Sequence, residues 1–577
     1  LILPLTSGYL ARSDFLSLRL ECCPLVAQTA SFITPLGFVP AVPARSKHEL
    51  SQPGALADVV HRAVGGVRLL DGTIAPADID RELHRRLHVS SPWLLPDPIV
   101  PRRVAWVQGR EDLQSIRRAF EAAAALGIKL VVLDEPGHWM QDDHGPGAHL
   151  REAFVEVDIT PDRGLSGRIA AAVRAYPEVV DGIVTISDVR LAAVAWASRE
   201  LGLPTESPEA YDIAADKGRT RMLEEEGRVA ESGGGSGEKE SFVLACAEDL
   251  EPLLAESRRG GGGGGSLLTF PRIVKPVVGW SSECVARVED EAGLVAAVRR
   301  AADRHATSPT PSTAVVVEPY VAGPEVDANL VLLDGEVVFC DISDDFPSEA
   351  DRAGAGLWAN FEETQNVMPS ALPSAEQVGI REGLLRSLTA QGFRTGVFHC
   401  EARVRNSRCT YRADKQDGIV DLVPQTQIAA AAATDTHPDN ESVDVYLHEV
   451  NARPPGYLET VAVLLAYGVD YYALRLLTAI GAHHEAPRIR ALSQPFRDGP
   501  QFHLSLLMVH QALAGVMRTR DPVGEFLDAH PDVKANVVDF NSRKKGGDVL
   551  VGPGASDLCW VGFLSVVSRD SRADLLR

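Results

Sequence analysis

The chain has 577 residues, 45% hydrophobic and 24% charged, with a formal net charge of −22; this is globular composition and enough length for several domains of ~150 residues each. So acidic a surface argues against nucleic acid or an anionic membrane as the main partner, but it leaves room for a nucleotide held by a local basic site and a divalent cation. The eight cysteines show no C-x-x-C spacing, hence no sign of a zinc ribbon or disulfide framework, and a reducing, cytoplasmic compartment is the expectation.

The first residue is Leu1, not Met, which reads as a fragment or a misplaced start. No charged stretch leading into an unbroken apolar run marks a signal peptide. Residues 1–100 are Pro-rich and read as an extension of uncertain fold, with a helix expected around Ala55–Val64. The apolar stretch Ala30–Ala44 is broken by Pro35, Pro40 and Pro43 and is too short to span a bilayer.

Residues 101–205 alternate between strand and helix. Strands are predicted at Arg103–Gln108, Lys129–Leu133, Ala153–Val157 and Gly182–Ile186. Helices are predicted at Asp112–Leu126, Leu165–Arg174 and up to Leu201, the last capped by Ser187 or Asp188. This order implies a parallel sheet covered by helices. No G-x-G-x-x-G follows the first strand, so a dinucleotide site is not indicated.

Residues 206–485 carry the chemistry, interrupted by Glu231–Gly237 and by the six glycines Gly260–Gly265. The glycine run has no helix behind it and reads as a flexible insertion, not a phosphate loop. Arg272–Glu283 reads as a strand entering a small-residue turn, with Lys275 inside the apolar run. A lysine buried there needs an anion, while Gly279, Ser281 and Ser282 would let backbone N–H groups approach phosphate oxygens. The plainer alternative is an ordinary turn, with Lys275 reaching solvent. Ala314–Glu325 then reads as a buried strand ending in a Pro-containing hinge: Glu318, Pro319 and Val321 could present backbone groups to an adenine edge, and Glu325 a carboxylate to ribose. Val326–Leu333 and Glu336–Asp341 form a hairpin through Asp334-Gly335.

Two later stretches, Gly396–Glu401 and His448–Gly456, are the most informative. Side chains alternate along a strand, so His399 and Glu401 share one face, and Glu449, Asn451 and Arg453 another. Side by side, two such strands gather two carboxylates and an amide, a hard oxygen set suited to Mg²⁺ held together with phosphates. Arg453 adds a cation with fork geometry for a phosphoryl group. Residues 405–442 read as a loop. In the last segment, 486–577, Phe502–Met517 looks helical, and Val549–Val551 and Trp560–Val566 read as strands.

The order Lys275, small-residue loop, Glu318-x6-Glu325, Glu401, Glu449-x-Asn451 resembles the ATP-grasp superfamily over about residues 103–485. The hinge resembles that of D-alanine–D-alanine ligases. The H-x-E strand and E-x-N-x-R ending are closer to L-amino acid ligases that make dipeptides, with carnosine synthase a more distant relative. The resemblance implies an α/β architecture: an ATP-grasp clamp behind a Rossmann-like parallel domain. Expected boundaries are 1–100 for the extension, 101–205 for the parallel domain, 206–321 for the small lobe, 322–485 for the large lobe with the metal site, and 486–577 for an accessory region.

It also implies roles. Lys217, in Ala215–Met222, would contact phosphate; Lys275 would bind the α/β-phosphates, and the loop Gly279–Glu283 would close over the β/γ-phosphates. Glu318 to Val321 would hold adenine and Glu325 ribose. Glu401, Glu449 and Asn451 would hold Mg²⁺, with Mn²⁺ as an alternative, and Arg453 would meet the γ-phosphate or an acyl phosphate. His399 would orient substrate or support its neighbours. Trp280 and Glu283 depart from the glycine common in relatives, and Arg453-Pro-Pro-Gly456 is stiffer than many endings. The implied reaction joins a small carboxylate to an amine at the expense of ATP, with no nucleic acid or membrane involved and a homodimer left open. A carboxylase or formyl-transfer enzyme on the same fold, or a regulatory nucleotide-binding protein, is the competing reading.

Overall fold

The computed structural model describes residues 1–4, 8–10, 14–32, 38–39, 52, 54, 55, 57, 60, 63–88, 94–95, 100–231, 240–259, 268–279, 282–352, 354–425, 443–552 and 560–577. Ser281, Trp280 and the glycine run 260–265 therefore lie outside the described residues, as does most of Glu231–Gly237.

The parallel domain has strands β1 (Arg102–Val107), β2 (Ile128–Asp134), β3 (Ala153–Glu156) and β4 (Gly182–Val184), in the order β4-β1-β2-β3 and all parallel. Helix α1 (Leu113–Ala125) crosses from β1 to β2 and α2 (Leu165–Ala175) from β3 to β4, and α3 (Asp188–Leu201) follows β4. The Asp112 carboxylate accepts from the Ser115 N–H and fixes the start of α1. Ser187 occupies the cap position of α3 without a side-chain cap bond, and Asp188, the first helical residue, points elsewhere.

The small lobe opens with α4 (Lys217–Glu231) and contains β5 (Phe242–Leu244), β6 (Arg272–Pro276), β7 (Ala286–Val288), α5 (Glu291–Arg304) and β8 (Val315–Pro319). Its antiparallel sheet runs β5-β8-β6-β7. Every residue of β6 is buried, Lys275 included.

The large lobe holds β9 (Glu325–Leu333), β10 (Glu336–Asp345), β11 (Gln365–Met368), α6 (Ser374–Gln391), β12 (Gly396–Val404) and β13 (Val445–Asn451). The hairpin turn places Asp334 at φ 54° and Gly335 at φ 85°, left-handed positions that Asp and Gly tolerate and β-branched residues do not. Helices α7 (Tyr457–Tyr467), α8 (Tyr471–Ala479) and α9 (Ala482–Leu492) follow. Among the described residues no single helix is long and apolar enough to cross a membrane. The apolar pair α7 and α8, bent by 107°, is instead packed in the core through Val463, Leu474 and Leu477.

Three expectations need correction. Phe502–Met517 is not a helix. His503–His510 is strand β14 and, with β15 (Val537–Ser542) and β16 (Trp560–Ser568), completes an eight-stranded sheet β13-β12-β9-β10-β11-β14-β16-β15. Leu504, Leu506 and Met508 are buried and Leu507 is exposed, a period of two that an apolar-rich run obscures. Residues 405–442 are not all loop, since Cys409–Ala413 pairs with Val420–Pro424 as a hairpin; 426–442 lie outside the described residues. Ala63 and Val64 begin a strand, Ala63–Leu69, instead of ending a helix. Gly65 and Gly66 disfavour helix, and a Cβ on Gly65 would meet the Ala30 carbonyl at 2.5 Å in the neighbouring strand.

Candidate active site between the two lobes

The two informative strands lie side by side. β12 pairs antiparallel with β13, and the register sets Glu401 opposite Glu449 and His399 opposite Asn451. A bulge between Glu401 and Ala402 locally alters the twist where the carboxylates meet. On the other side of β12, Asp327 of β9 stands opposite Glu401, and Asn329 opposite His399. One sheet face thus carries a band of oxygen donors across three strands.

Across the cleft, Lys217 at the start of α4 donates to the Gly279 carbonyl at 3.0 Å and pairs with Glu449 at 2.8 Å. Lys275 is neutralised by Glu318 of the adjacent strand, at 2.7 Å. Arg221, one turn along α4 from Lys217, pairs with the other oxygen of Glu318 at 2.8 Å and stacks 4.0 Å over the Tyr446 ring. Burial pushes the Glu318 carboxyl up, but Lys275 and Arg221 outweigh it and hold it down at about 2. Burial lowers Lys275, and Arg221 and Lys217 add to that against the pull of Glu318.

The cleft is lined by Lys217, Lys275, Gly279, Ser282, Glu318, Val321, Glu325, Glu401 and Glu449. Of the other expected residues, Pro319, His399, Asn451 and Arg453 do not line it, and Ser281 lies outside the described residues. Glu325 does not stand free: Arg403 grips it with two nitrogens at 2.6 and 2.9 Å and also pairs with Asp351. Nor does Arg453 project a free fork, because Asp188 of α3 takes its Nε and Nη2 at 2.6 and 2.8 Å. This pair pins the parallel domain to the end of β13.

His399 Nδ1 lies 2.9 Å from Asn329 Oδ1. The Asn329 amide nitrogen already donates to Asp341 and Glu459, so its oxygen is the acceptor and His399 Nδ1 carries the proton. The Nε2 lone pair then faces Glu401, 3.7 Å away. Burial and then Arg453 hold the imidazole neutral, at about 3.

Around it lies an acidic set of which the sequence reading named only Glu401. Burial, followed by like charge, pushes Asp327, Asp345 and Glu401 well above the usual carboxylate range. Burial likewise raises Glu363 and Asp341 to about 7 and Glu459 to about 8. Asp327, His399 and Glu459 can bring one ligand atom each within 4.8 Å of one another. A dense oxygen donor set with an outward imidazole lone pair and elevated carboxyls fits a bound divalent cation. The signal for Asp327 and Asn329 was present as the alternation Glu325-Val-Asp-Ala-Asn329. Arg221, Asp188, Arg403 and Glu459 left no comparable trace, since each acts on a partner far away in the chain.

Comparison with known proteins agrees with this geometry. Residues 120–205 match the ATP-grasp N-terminal domain and residues 268–412 the ATP-grasp domain. The chain is 33% identical to the ATP-grasp enzyme fsqD of Aspergillus fumigatus, over all of this chain and 95% of that protein. It is 25% identical to carnosine synthase 1 of Homo sapiens over 49% of this chain and 33% of that one. Among solved structures, an L-amino acid ligase from Bacillus licheniformis superposes with a TM-score of 0.55 at 20% identity, covering 82% of this chain and 94% of that one. The ADP complex of the N5-carboxyaminoimidazole ribonucleotide synthetase purK does so at 0.51 and 11% identity, covering 83% and 95%. Both superpositions speak to the fold. The fold and site define an ATP-binding enzyme of the ligase type. The chain belongs to the ATP-grasp family.

Proposed function

We propose that the protein is an ATP-dependent carboxylate–amine ligase, forming a peptide-like amide between two small molecules, at least one of them an amino acid. The observation that carries this reading is the Glu401–Glu449 pair, in register across two strands, in the same cleft as Lys217 and Lys275. Similarity to carnosine synthase and to an L-amino acid ligase fold supports it.

In this reading the backbone from Glu318 to Val321 receives adenine and Glu325 the ribose. Lys217 and Lys275 meet the phosphates, with Gly279 and Ser282 beside them. Glu401, Glu449 and Asn451 would hold Mg²⁺, or Mn²⁺ in its place. A divalent ion held there would offset charge on the phosphates. The chain itself positions the carboxylate, neutralises developing charge and excludes water, which is most of what phosphoryl transfer asks of a protein. The activated carboxylate is an acyl phosphate, and the amine displaces phosphate from it. Asp188 fixes Arg453 beside β13, so its guanidinium supports the site from a locked position. His399, held neutral and fixed by Asn329, would keep its Nε2 lone pair beside Glu401 on the face that holds the ion. A reducing, cytoplasmic setting belongs to the proposal, supported by seven described cysteines that are all free thiols.

The test is incubation with ATP, Mg²⁺ and pools of amino acids, with phosphate measured and new amides sought by mass spectrometry. Phosphate release that requires both a carboxylate and an amine supports the ligase. Release that ignores the amine overturns it.

A further inference from the structure

A second cavity lies between the parallel domain and the large lobe, away from the cleft, and the two share no lining residue. Leu191 and Ala195 of α3 form one wall. Thr205, Glu206, Arg475 of α8 and Ala482 of α9 form the others. Two independent features border it.

The first is Arg475, only 8% exposed, whose Nε has no hydrogen-bond partner. Among the described residues no carboxylate pairs with its guanidinium. An arginine does not shed its charge on burial, so an uncompensated guanidinium is costly and calls for an anion. The second is the start of α9, an 11-residue helix whose cap residue Gly481 carries no side chain to satisfy it. The N–H groups of His484 and Glu485 both turn to the Gly481 carbonyl, at 3.1 Å each. The N–H groups of the first helical residues have no such intrahelical acceptor and present the positive end of the helix dipole.

Glu206 does not serve as the counter-ion. Its carboxylate accepts from the Arg394 N–H at 2.9 Å, and burial pushes its carboxyl up. It does bear on which anion fits, because like charge on the wall penalises a dianion more than a monoanion. The opposite wall is apolar, through Leu191 and Ala195.

We propose that this cavity binds a small organic monocarboxylate, its head on Arg475 and the first N–H groups of α9, its apolar body against Leu191 and Ala195. The site is independent of the ligase reading, and α3, which forms its apolar wall, begins with the Asp188 that holds Arg453.

The test is titration calorimetry and thermal unfolding of the full chain with sodium isobutyrate, its neutral isostere isobutyramide, and sodium phosphate. Isobutyrate is expected to bind saturably and raise the melting temperature, with isobutyramide and phosphate much weaker. Arg475→Met should weaken isobutyrate binding at least about tenfold, while unfolding no earlier than the wild type without ligand, because it removes an unpaired buried charge. Ala482→Asp places a tethered carboxylate in the first turn of α9. It should raise the melting temperature and abolish the isobutyrate response, and it decides the matter if Arg475→Met does not fold. Equal isobutyrate binding by the wild type and both variants overturns the site, as does no saturable binding up to about 50 mM. Phosphate bound as tightly as isobutyrate overturns the choice of a monocarboxylate.

Discussion

The two sides of the cleft solve opposite electrostatic problems. On the small-lobe side, Lys275 and Arg221 are buried on a shared carboxylate, Glu318, so two cations share one internal counter-ion. On the large-lobe side Asp327, Asp345, Glu363, Glu401 and Glu459 crowd one another, and burial drives them up the pH scale. The fixed cations there are already engaged, Arg453 with Asp188, Lys217 with Glu449 and Arg403 with Glu325. The basic side therefore folds around its own counter-ion with one positive charge in excess. On the proposed reading, the acidic side becomes complete with a divalent cation.

The largest effect expected from this contrast is on catalysis. Glu401→Ala and Glu449→Ala should each abolish Mg²⁺-dependent ATP turnover while leaving the fold intact, since each removes a proposed metal ligand; the first also relieves local repulsion, and the second frees Lys217 from its ion pair. Near wild-type turnover at ordinary Mg²⁺ in either variant, with circular dichroism unchanged, would remove the metal from this face.

On the small-lobe side the expected effect is on stability. Glu318→Gln leaves Lys275 and Arg221 buried without their shared anion, which costs about 3–5 kcal/mol. Urea unfolding should show a midpoint well below the wild type. A midpoint within error of the wild type would mean that Glu318 is not the counter-ion of the pair.

The acidic side predicts a pH dependence of definite sign. Glu363 and Asp341 titrate at about 7 and Glu459 at about 8, against about 4 in an unfolded chain. The folded protein thus holds more protons than the unfolded one between those values, so these groups' stabilisation is full below about 4 and is lost as the pH rises through 7 to 8. Thermal unfolding without divalent metal should shift downward from pH 6 to pH 8.5, and Mg²⁺ should restore more at the upper end. A metal effect independent of pH would contradict the contrast.

How much of this was legible in the sequence follows from the range of each interaction. The Glu401–Glu449 face and the Asp334-Gly335 hairpin were readable because strand alternation and turn chemistry are local. The parallel domain was readable for the same reason, through its alternating elements. Asp188 looked like a helix cap because its partner, Arg453, lies 265 residues away. Arg221 sat inside the quoted Lys217 motif, but nothing local tied it to Glu318 of another strand. Strand β14 was misread because five apolar side chains among Leu504–Val509 hide the period of two.

The smallest effect concerns the glycine run. Deleting Gly260–Gly265 should leave the ATP dissociation constant nearly unchanged, since six glycines without a following helix make no fixed phosphate nest. A large rise in that constant, with the protein still folded, would assign the run to the nucleotide site.

The central claim is that the terminal phosphoryl group of ATP is the one that moves. Chromatography of the spent nucleotide, with a productive carboxylate and amine present, tests it most directly. The account predicts ADP and phosphate in equal amounts, matched by amide. Stoichiometric AMP and pyrophosphate would contradict it.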